Sequence, residues 1–439
     1  MNFEETQAYL FSLGNEVEAM KLGLGNIGTL LNALDNPQDK YLKVQVAGTN
    51  GKGSVCAFLD SICCQGGIRT GLYTSPHLVS ITERIKINGK EITEEKFASA
   101  ATLVRETCEE LLSTGDLKYR PTFFEQMTAI ALRCFADAGI DLAILETGMG
   151  GRLDATTASN AEVAAITRID FDHREYLGDT LEKISAEKAA IIRSDSRVII
   201  GEQAADSHRI ILQKCADLGV SPRSADEVSA KILPLDPSGA EHGSFRADFT
   251  TSEARYQNVS LGIAGRHQIE NAKTAILIAE ELRAYFKIAD EDIIAGLGAA
   301  RHPGRLEFDG QFLFDGAHNK GGAQVLREYV EEIITKPITL IFGVMKGKDA
   351  AEMAGEIFPK AEKIILTRPA NSRAMSLPEL RQISAESLSG KTIFETESAE
   401  QAVKLAISVT DPNDIILVTG SLYLVGEVKS IANRLQSSV

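Results

Sequence analysis

The chain has 439 residues, more than one ordinary hydrophobic core accommodates, and its 44% apolar and 24% charged residues are the balance of a globular protein. Its formal net charge of −15 argues against nucleic acid or an anionic membrane as partner, since both call for clustered lysine and arginine. No apolar run approaches the ~20 residues of a membrane span, and the start MNFEETQAYL has no cationic segment leading into an apolar one, so a cytoplasmic location is expected.

Residues 1 to about 40 read as a helical leader: Phe3, Leu10, Phe11 and Leu13 form a helix-like stripe, followed by the glycine-rich break LGLGNIG. Short apolar runs YLKVQVAG, IRTGLYTS, DLAILETG and EVAAITRID then alternate with helix-like segments such as SVCAFLDSICCQ and TFFEQMTAIALRCFADA. Strands alternating with helices predict a parallel sheet covered on both faces. Around residues 220–262 the sequence turns polar and turn-rich, which reads as a small antiparallel excursion, and a helix follows from about His267 to Phe286. After the break Ala300-Arg301-His302-Pro303-Gly304-Arg305 the alternation restarts with QFLFDG, ITLIFGV, KIILTRP, KTIFET and IILVTGS, a second α/β unit. The six cysteines form no CxxC pair and show no metal spacing; most lie in apolar helix-like runs and read as buried free thiols.

The segment Gly48-Thr49-Asn50-Gly51-Lys52-Gly53-Ser54 lies between a strand and a helix, the order a phosphate cradle needs. Glycines let backbone N–H groups converge on an anion; Lys52 would meet the β- and γ-phosphates of ATP and the Ser54 hydroxyl would reach Mg²⁺. Gly53 departs from the commonest spacing by standing between lysine and serine, and a glycine-rich turn alone can be a plain connection. Ser75, Glu146 and His173 each stand just past a strand, and strand C-termini of an open parallel sheet share one edge. Together with Ser54 they form an acceptable set for Mg²⁺ completed by phosphate and water. Taken singly, Glu146 reads equally as a helix-cap acid, His173 as a surface histidine, and Lys188, within the helical stretch Leu181 to Ile192, as a solvated lysine. The run Gly148-Met149-Gly150-Gly151-Arg152-Leu153-Asp154 favours function, since it lets backbone approach a ligand.

These residues, with LGLGNI, VAGTNGKGS, YTSPHLVSITERIKING, LETGMGGRLDATT, DHREYLG, AEKAAII, GRHQIENA, HPGRLE, FDGAHN, FGVMKGKD and TGSLYLVGEV, run through nearly the whole chain. In them the sequence closely resembles the folylpolyglutamate synthase and dihydrofolate synthase family of the Mur ligase superfamily. The resemblance implies a P-loop-type, mostly parallel α/β domain over residues 1–300, followed by a smaller Rossmann-like α/β domain over 301–439. It implies that Asn50, Gly51, Lys52, Gly53 and Ser54 hold the triphosphate, and that Ser54, Ser75, Glu146 and His173 hold magnesium. It implies that Lys188 is carbamylated by CO₂, although Ala190 stands where the family usually has glycine. In the second half of the chain it assigns Asn271, Arg305 and Asp315 to the nucleotide, with His318 and Asn319 beside it. Leu22, Gly23, Leu24, Gly25, Thr122, Phe124, Asp154 and Ala155 match segments that hold a pterin.

The implied reaction activates the carboxylate of dihydropteroate or of a folate glutamyl chain as an acyl phosphate, which L-glutamate then converts to an amide. ATP, L-glutamate and the pterin are the expected partners, with Mg²⁺ as cofactor and a monomer as the expected state. Two other readings compete. A peptidoglycan Mur ligase would carry its own N-terminal domain, whereas only about 40 residues precede the first loop strand here, below usual domain size. A nucleotide switch would need a guanine-reading Asn-Lys-x-Asp, and Asn319-Lys320 continues as Gly321-Gly322.

Overall fold

The computed structural model describes residues 1–14, 23–234 and 243–436. Its contacts gather into two compact units. The first comprises Met1–Lys231, Asp248–Val259 and Glu270–Ala300; the second comprises Ile232–Ala247, Ser260–Ile269 and Arg301–Val439. The segments 232–247 and 260–269, which precede the break at residue 300, therefore pack with the second unit. The reason is local: Arg266 lies over the Phe245 ring and pairs with Glu332, while Gly243 sits against the Tyr329 ring.

The first unit carries an eight-stranded sheet. Its strands are β1 Leu42–Ala47, β2 Thr70–Tyr73, β3 Ile85–Ile87, β4 Lys90–Glu91, β5 Leu142–Glu146, β6 Val163–Ile166, β7 Arg197–Ile200 and β8 Arg223–Ser224, in the order β4-β3-β2-β5-β1-β6-β7-β8. From β2 to β8 every pairing is parallel. β2, β5 and β6 are buried along their whole length, which is why they read as continuous apolar runs. β3 and β4 add an antiparallel hairpin through Asn88 (φ 51°) and Gly89 (φ 72°), the dipeptide that favours a two-residue turn. The helix Lys52–Gln65 follows β1, and Phe123–Ala138 leads into β5.

One buried cluster joins Leu10, Ile27, Leu30, Tyr73, Phe97 and Phe135; another joins Ala47, Ile166, Ile184, Ile200 and Ile211. The leader forms the helices Phe3–Ser12 and Gly25–Ala33, and its stripe needs one correction. Leu10 is buried, but Phe11 is 53% exposed and stacks on Phe123 at 6.1 Å. The helix around Lys188 is shorter than expected, Leu181–Ala189.

The polar stretch forms β9 Ser229–Leu233, β10 Arg246–Thr250 and β11 Arg255–Ser260, a separate three-stranded sheet in the order β11-β10-β9. The helix Gln268–Leu282 follows.

The second unit holds a sheet of β12 Glu307–Asp309, β13 Phe312–Phe314, β14 Ile338–Phe342, β15 Lys363–Leu366, β16 Thr392–Glu395 and β17 Ile415–Thr419. Its order is β12-β13-β17-β14-β15-β16, parallel except for the β12–β13 pair. Leu313, Leu340, Phe342, Met353, Phe358 and Ile364 form its core. Both main sheets are thus mostly parallel, as the alternation predicted.

Candidate active site

In the first unit the C-terminal ends of β2, β5, β1 and β6 lie side by side at one sheet edge, and the expected site residues stand on the loops that leave it. The loop after β1 is fastened to the loop after β6. Thr49 and Asn50 donate their N–H groups to the Arg168 carbonyl at 2.9 and 3.1 Å, and the Thr49 hydroxyl bonds the Asp170 backbone. Gly48 is required by close approach, since a Cβ there would overlap the Thr167 hydroxyl. Gly51 (φ 91°) needs glycine twice over, because its Cβ would also strike the Asn271 side chain. Asn271, though late in the chain, thus belongs beside the phosphate loop. Lys52, Gly53 and Ser54 make the first turn of the following helix, where backbone N–H groups lack intrahelical acceptors and the dipole favours an anion. Lys52 Nζ folds back onto the carbonyls of Gly48 (3.1 Å) and Thr49 (3.3 Å).

Lys188 is not a solvated lysine. It is 4% exposed, and its Nζ donates to the same Gly48 carbonyl at 2.7 Å. Burial, reinforced by the Lys52 charge, lowers its pKa to about 7 against the opposing pull of Asp172 and Asp154. A large share of this amine is therefore neutral near pH 7.

Glu146, 6% exposed at the end of β5, accepts the Ser75 N–H at 3.2 Å, so these two are brought together. Ser54 stands in the first turn of the helix that follows β1, the next strand over, and His173 beyond β6. His173 caps the helix Arg174–Leu177 in the left-handed region (φ 49°). Asp172 accepts its N–H at 2.8 Å and lies 3.8 Å from its Nε2. Among the described residues no three histidine, cysteine or acidic side chains converge as a metal cage. One buried carboxylate with hydroxyls and an imidazole nonetheless fits a magnesium ion that keeps several waters and takes other oxygens from phosphate. Asp172, the first residue of the DHREYLG segment, was not singled out from the sequence, because its interaction with Lys188 depends on the fold.

Among the residues matched to a pterin, Leu22 lies outside the described residues. Gly23 and Gly25 face open space, with no heavy atom within 4 Å of where a Cβ would be, and Leu24 caps the helix between them. Thr122 caps the helix Phe123–Ala138 in a reciprocal box with Glu125. Phe124 lies with its ring against the backbone of Gly148 and 6.1 Å from the Tyr73 ring. The Asp154 carboxylate is held by its own loop. One oxygen accepts the N–H groups of Gly148 and Met149 at 2.9 and 3.0 Å; the other accepts the N–H and hydroxyl of Thr156. Those four bonds fill its acceptor positions. Ala155 is buried in the core. These two shape the glycine-rich loop, and the signal for it was the Asp-x-Thr pattern of a side-chain-capped turn.

In the second unit Asp315, just past β13, accepts the N–H groups of Leu306 (3.1 Å) and Ala317 (2.9 Å). Burial raises its pKa, opposed by nearby Arg305 and His318. Arg305 extends alongside Gly316. His318 Nδ1 lies 2.8 Å from the Gly316 carbonyl, which can only accept, so this nitrogen carries a proton and Nε2 is the acceptor of the neutral ring. Asn319 caps the helix Lys320–Ile333 through Gly322 N–H at 2.8 Å.

Two family models match the chain: the Mur ligase middle domain over residues 46–279 and the Mur ligase glutamate ligase domain over 304–422. A Haloferax volcanii protein named as a probable bifunctional folylpolyglutamate synthase/dihydropteroate synthase is 31% identical over 437 residues, but the chain spans only 51% of it, about half its length. The Bacillus subtilis dihydrofolate synthase/folylpolyglutamate synthase is 32% identical over 423 residues, covering 93% of this chain and 95% of that one. A crystal structure of Mycobacterium tuberculosis folylpolyglutamate synthase complexed with ADP and AMPPCP superposes with a TM-score of 0.89 at 28% identity, over 98% of each chain. The chain belongs to the folylpolyglutamate synthase/dihydrofolate synthase family of the Mur ligases.

Proposed function

We propose that this protein is an ATP-dependent carboxylate–amine ligase that joins L-glutamate to dihydropteroate, to the γ-carboxyl of a folate, or to both. The observation that carries this reading is the fastened phosphate loop, with the Lys52 and Lys188 amines on one carbonyl, in a chain matched over 93% of its length by a relative bearing those names. In this reading Asn50 to Ser54 and Asn271 hold ATP. Ser54, Ser75, Glu146 and His173 would hold Mg²⁺, which supplies charge neutralisation at the phosphate oxygens. Gly23, Leu24, Gly25 and Phe124 take the pterin against the loop that Asp154 shapes.

The substrate carboxylate attacks the γ-phosphorus, ADP leaves, and an acyl phosphate forms. The amine of glutamate then attacks the acyl carbon, expels phosphate and loses a proton, leaving an amide. Lys52 holds the phosphates in line. His318 Nε2 is an acceptor for the ammonium proton of glutamate. Lys188 is the amine that adds CO₂: neutral Nζ attacks the carbon and sheds a proton, exchanging a cation for a carbamate. No helix among the described residues is long and apolar enough to cross a membrane. The free, mostly buried cysteines support a reducing compartment, here the cytoplasm, and a monomer is the working state assigned to it.

The test is glutamate- and magnesium-dependent ADP release, measured separately with dihydropteroate and with tetrahydrofolate. Turnover of either supports the reading and tells which amide is made. Silence with both, alongside turnover of a muramoyl substrate, overturns it.

A further inference from the structure

In the second unit, the loop after β14 and the loop after β15 zip together. Lys346 donates its N–H to the Arg373 carbonyl at 2.8 Å, Met375 donates to Val344 at 3.0 Å, and Met345 and Ala374 form an antiparallel bridge between them. Lys346 and Arg373 are thereby backbone neighbours, although the bridge extends no further because Arg373 gives its own N–H to the Asn371 side chain at 2.9 Å. Like charges held this close repel. Arg368, on the same loop as Arg373, is exposed, as is Lys346, while Arg373 is half-buried. Among the described residues none of the three forms an ion pair, although the chain has 61 acidic against 46 basic residues. Other cations of this unit do face acids: Arg266 with Glu332, Arg327 with Glu356, Lys360 with Glu331 and Arg381 with Glu395. The nearby acid Glu427 accepts the Ala370 N–H at 2.6 Å, and burial raises its pKa.

We propose that Lys346, Arg368 and Arg373 form a binding site for the carboxylates of a γ-linked glutamyl chain already carried by the substrate. This rests on the ligase function proposed above. Each ligation leaves one α-carboxylate pendant, so the product gains an anionic charge at every step, and a guanidinium fork matches a carboxylate in shape as well as charge. The other polyanion of the reaction, ATP, has its own cradle in the first unit. The site binds chain length, not the pterin, and being exposed it weakens as salt rises.

The test uses the full chain and the triple variant Lys346→Gln, Arg368→Gln, Arg373→Gln. Fluorescence anisotropy of a labelled γ-linked pentaglutamate reads binding, and steady-state kinetics reads KM for tetrahydrofolate carrying one or five glutamates. The variant should bind pentaglutamate roughly tenfold more weakly, as the loss of three modest exposed contacts gives. Its KM should rise by a similar factor for the pentaglutamate substrate only. Arg373→Gln alone, which relieves the opposed charges, should move both in the same direction by a smaller factor without lowering the melting temperature. Equal pentaglutamate binding by wild type and variant overturns the proposal. So does a KM rise shared by ATP or by the monoglutamate without dependence on chain length. If no folate of any length is turned over, the ligase reading fails, while the pentaglutamate comparison still decides whether the ladder is a glutamyl-binding site.

Discussion

Lys188 concentrates the residue-scale chemistry: a buried amine 2.7 Å from a carbonyl that Lys52 also contacts. Lys188→Ala should lower kcat by at least ~10²-fold, the usual scale for losing a group that acts in the transition state. Partial rescue by a short carboxylic acid would support the carbamate role, and normal turnover would remove it. The pH dependence follows from the lowered pKa of about 7. The neutral amine gains share as pH rises through 7, so at a matched concentration of dissolved CO₂ the CO₂-depleted enzyme should recover faster at pH 8 than at pH 6. Stability carries the same sign. Between about 7 and the unfolded value of 10.5 the folded chain holds fewer protons at this site, so its contribution improves as pH rises. Lys188→Met should remove that slope in paired denaturation curves at pH 7 and 9.5. The phosphate loop was legible because its glycines, lysine and serine are contiguous. The burial of Lys188 was not, because the carbonyl that accepts its hydrogen bond lies 140 residues earlier. Asp154 shows the opposite limit: its position was noticed, but its four bonds to the neighbouring turn were not.

Among elements, Glu280 on the helix Gln268–Leu282 ties three others to it. It accepts from Arg223 at 2.6 Å, from the Thr251 hydroxyl at 2.7 Å in the β10–β11 turn, and from the Tyr256 hydroxyl at 2.8 Å. Its side chain is fully buried. Glu280→Ala should cost about 2 kcal/mol, since it takes the acceptor from the buried Tyr256 hydroxyl and leaves Arg223 to Glu253 and Glu281, measurable as a lowered urea midpoint with little change in ATP binding. The strand–helix alternation could be read because each parallel strand is a run of apolar residues and each helix a periodic one. The β3–β4 hairpin escaped notice although Asn88-Gly89 is a strong local turn signal, because its strands are only three and two residues long. The exposure of Phe11 was unreadable for another reason: a helix stripe identifies a face, and what meets that face is decided elsewhere in the chain.

At the scale of the whole molecule, the chain passes between the two units at residues 231/232, 247/248, 259/260, 269/270 and 300/301. The apparent simplicity of a single break at 300 arose because strand–helix alternation marks secondary structure and not which sheet each segment joins. A fragment of residues 301–436 should be less stable than one that also carries 232–269, by a melting difference of several degrees. It lacks Ala264 against its core, Gly243 against Tyr329 and the Arg266–Glu332 pair. Interleaving also bears on synthesis at the ribosome, where the chain emerges from its N-terminus. Residues 232–247 and 260–269 leave the tunnel before the sheet of β12 to β17 that they pack with exists, while the helices at 270–300 are still needed to complete the first unit. Neither unit can close until translation has passed residue 300. Slow codons or a chaperone acting before that point would therefore govern the yield of folded protein more than the same intervention afterwards.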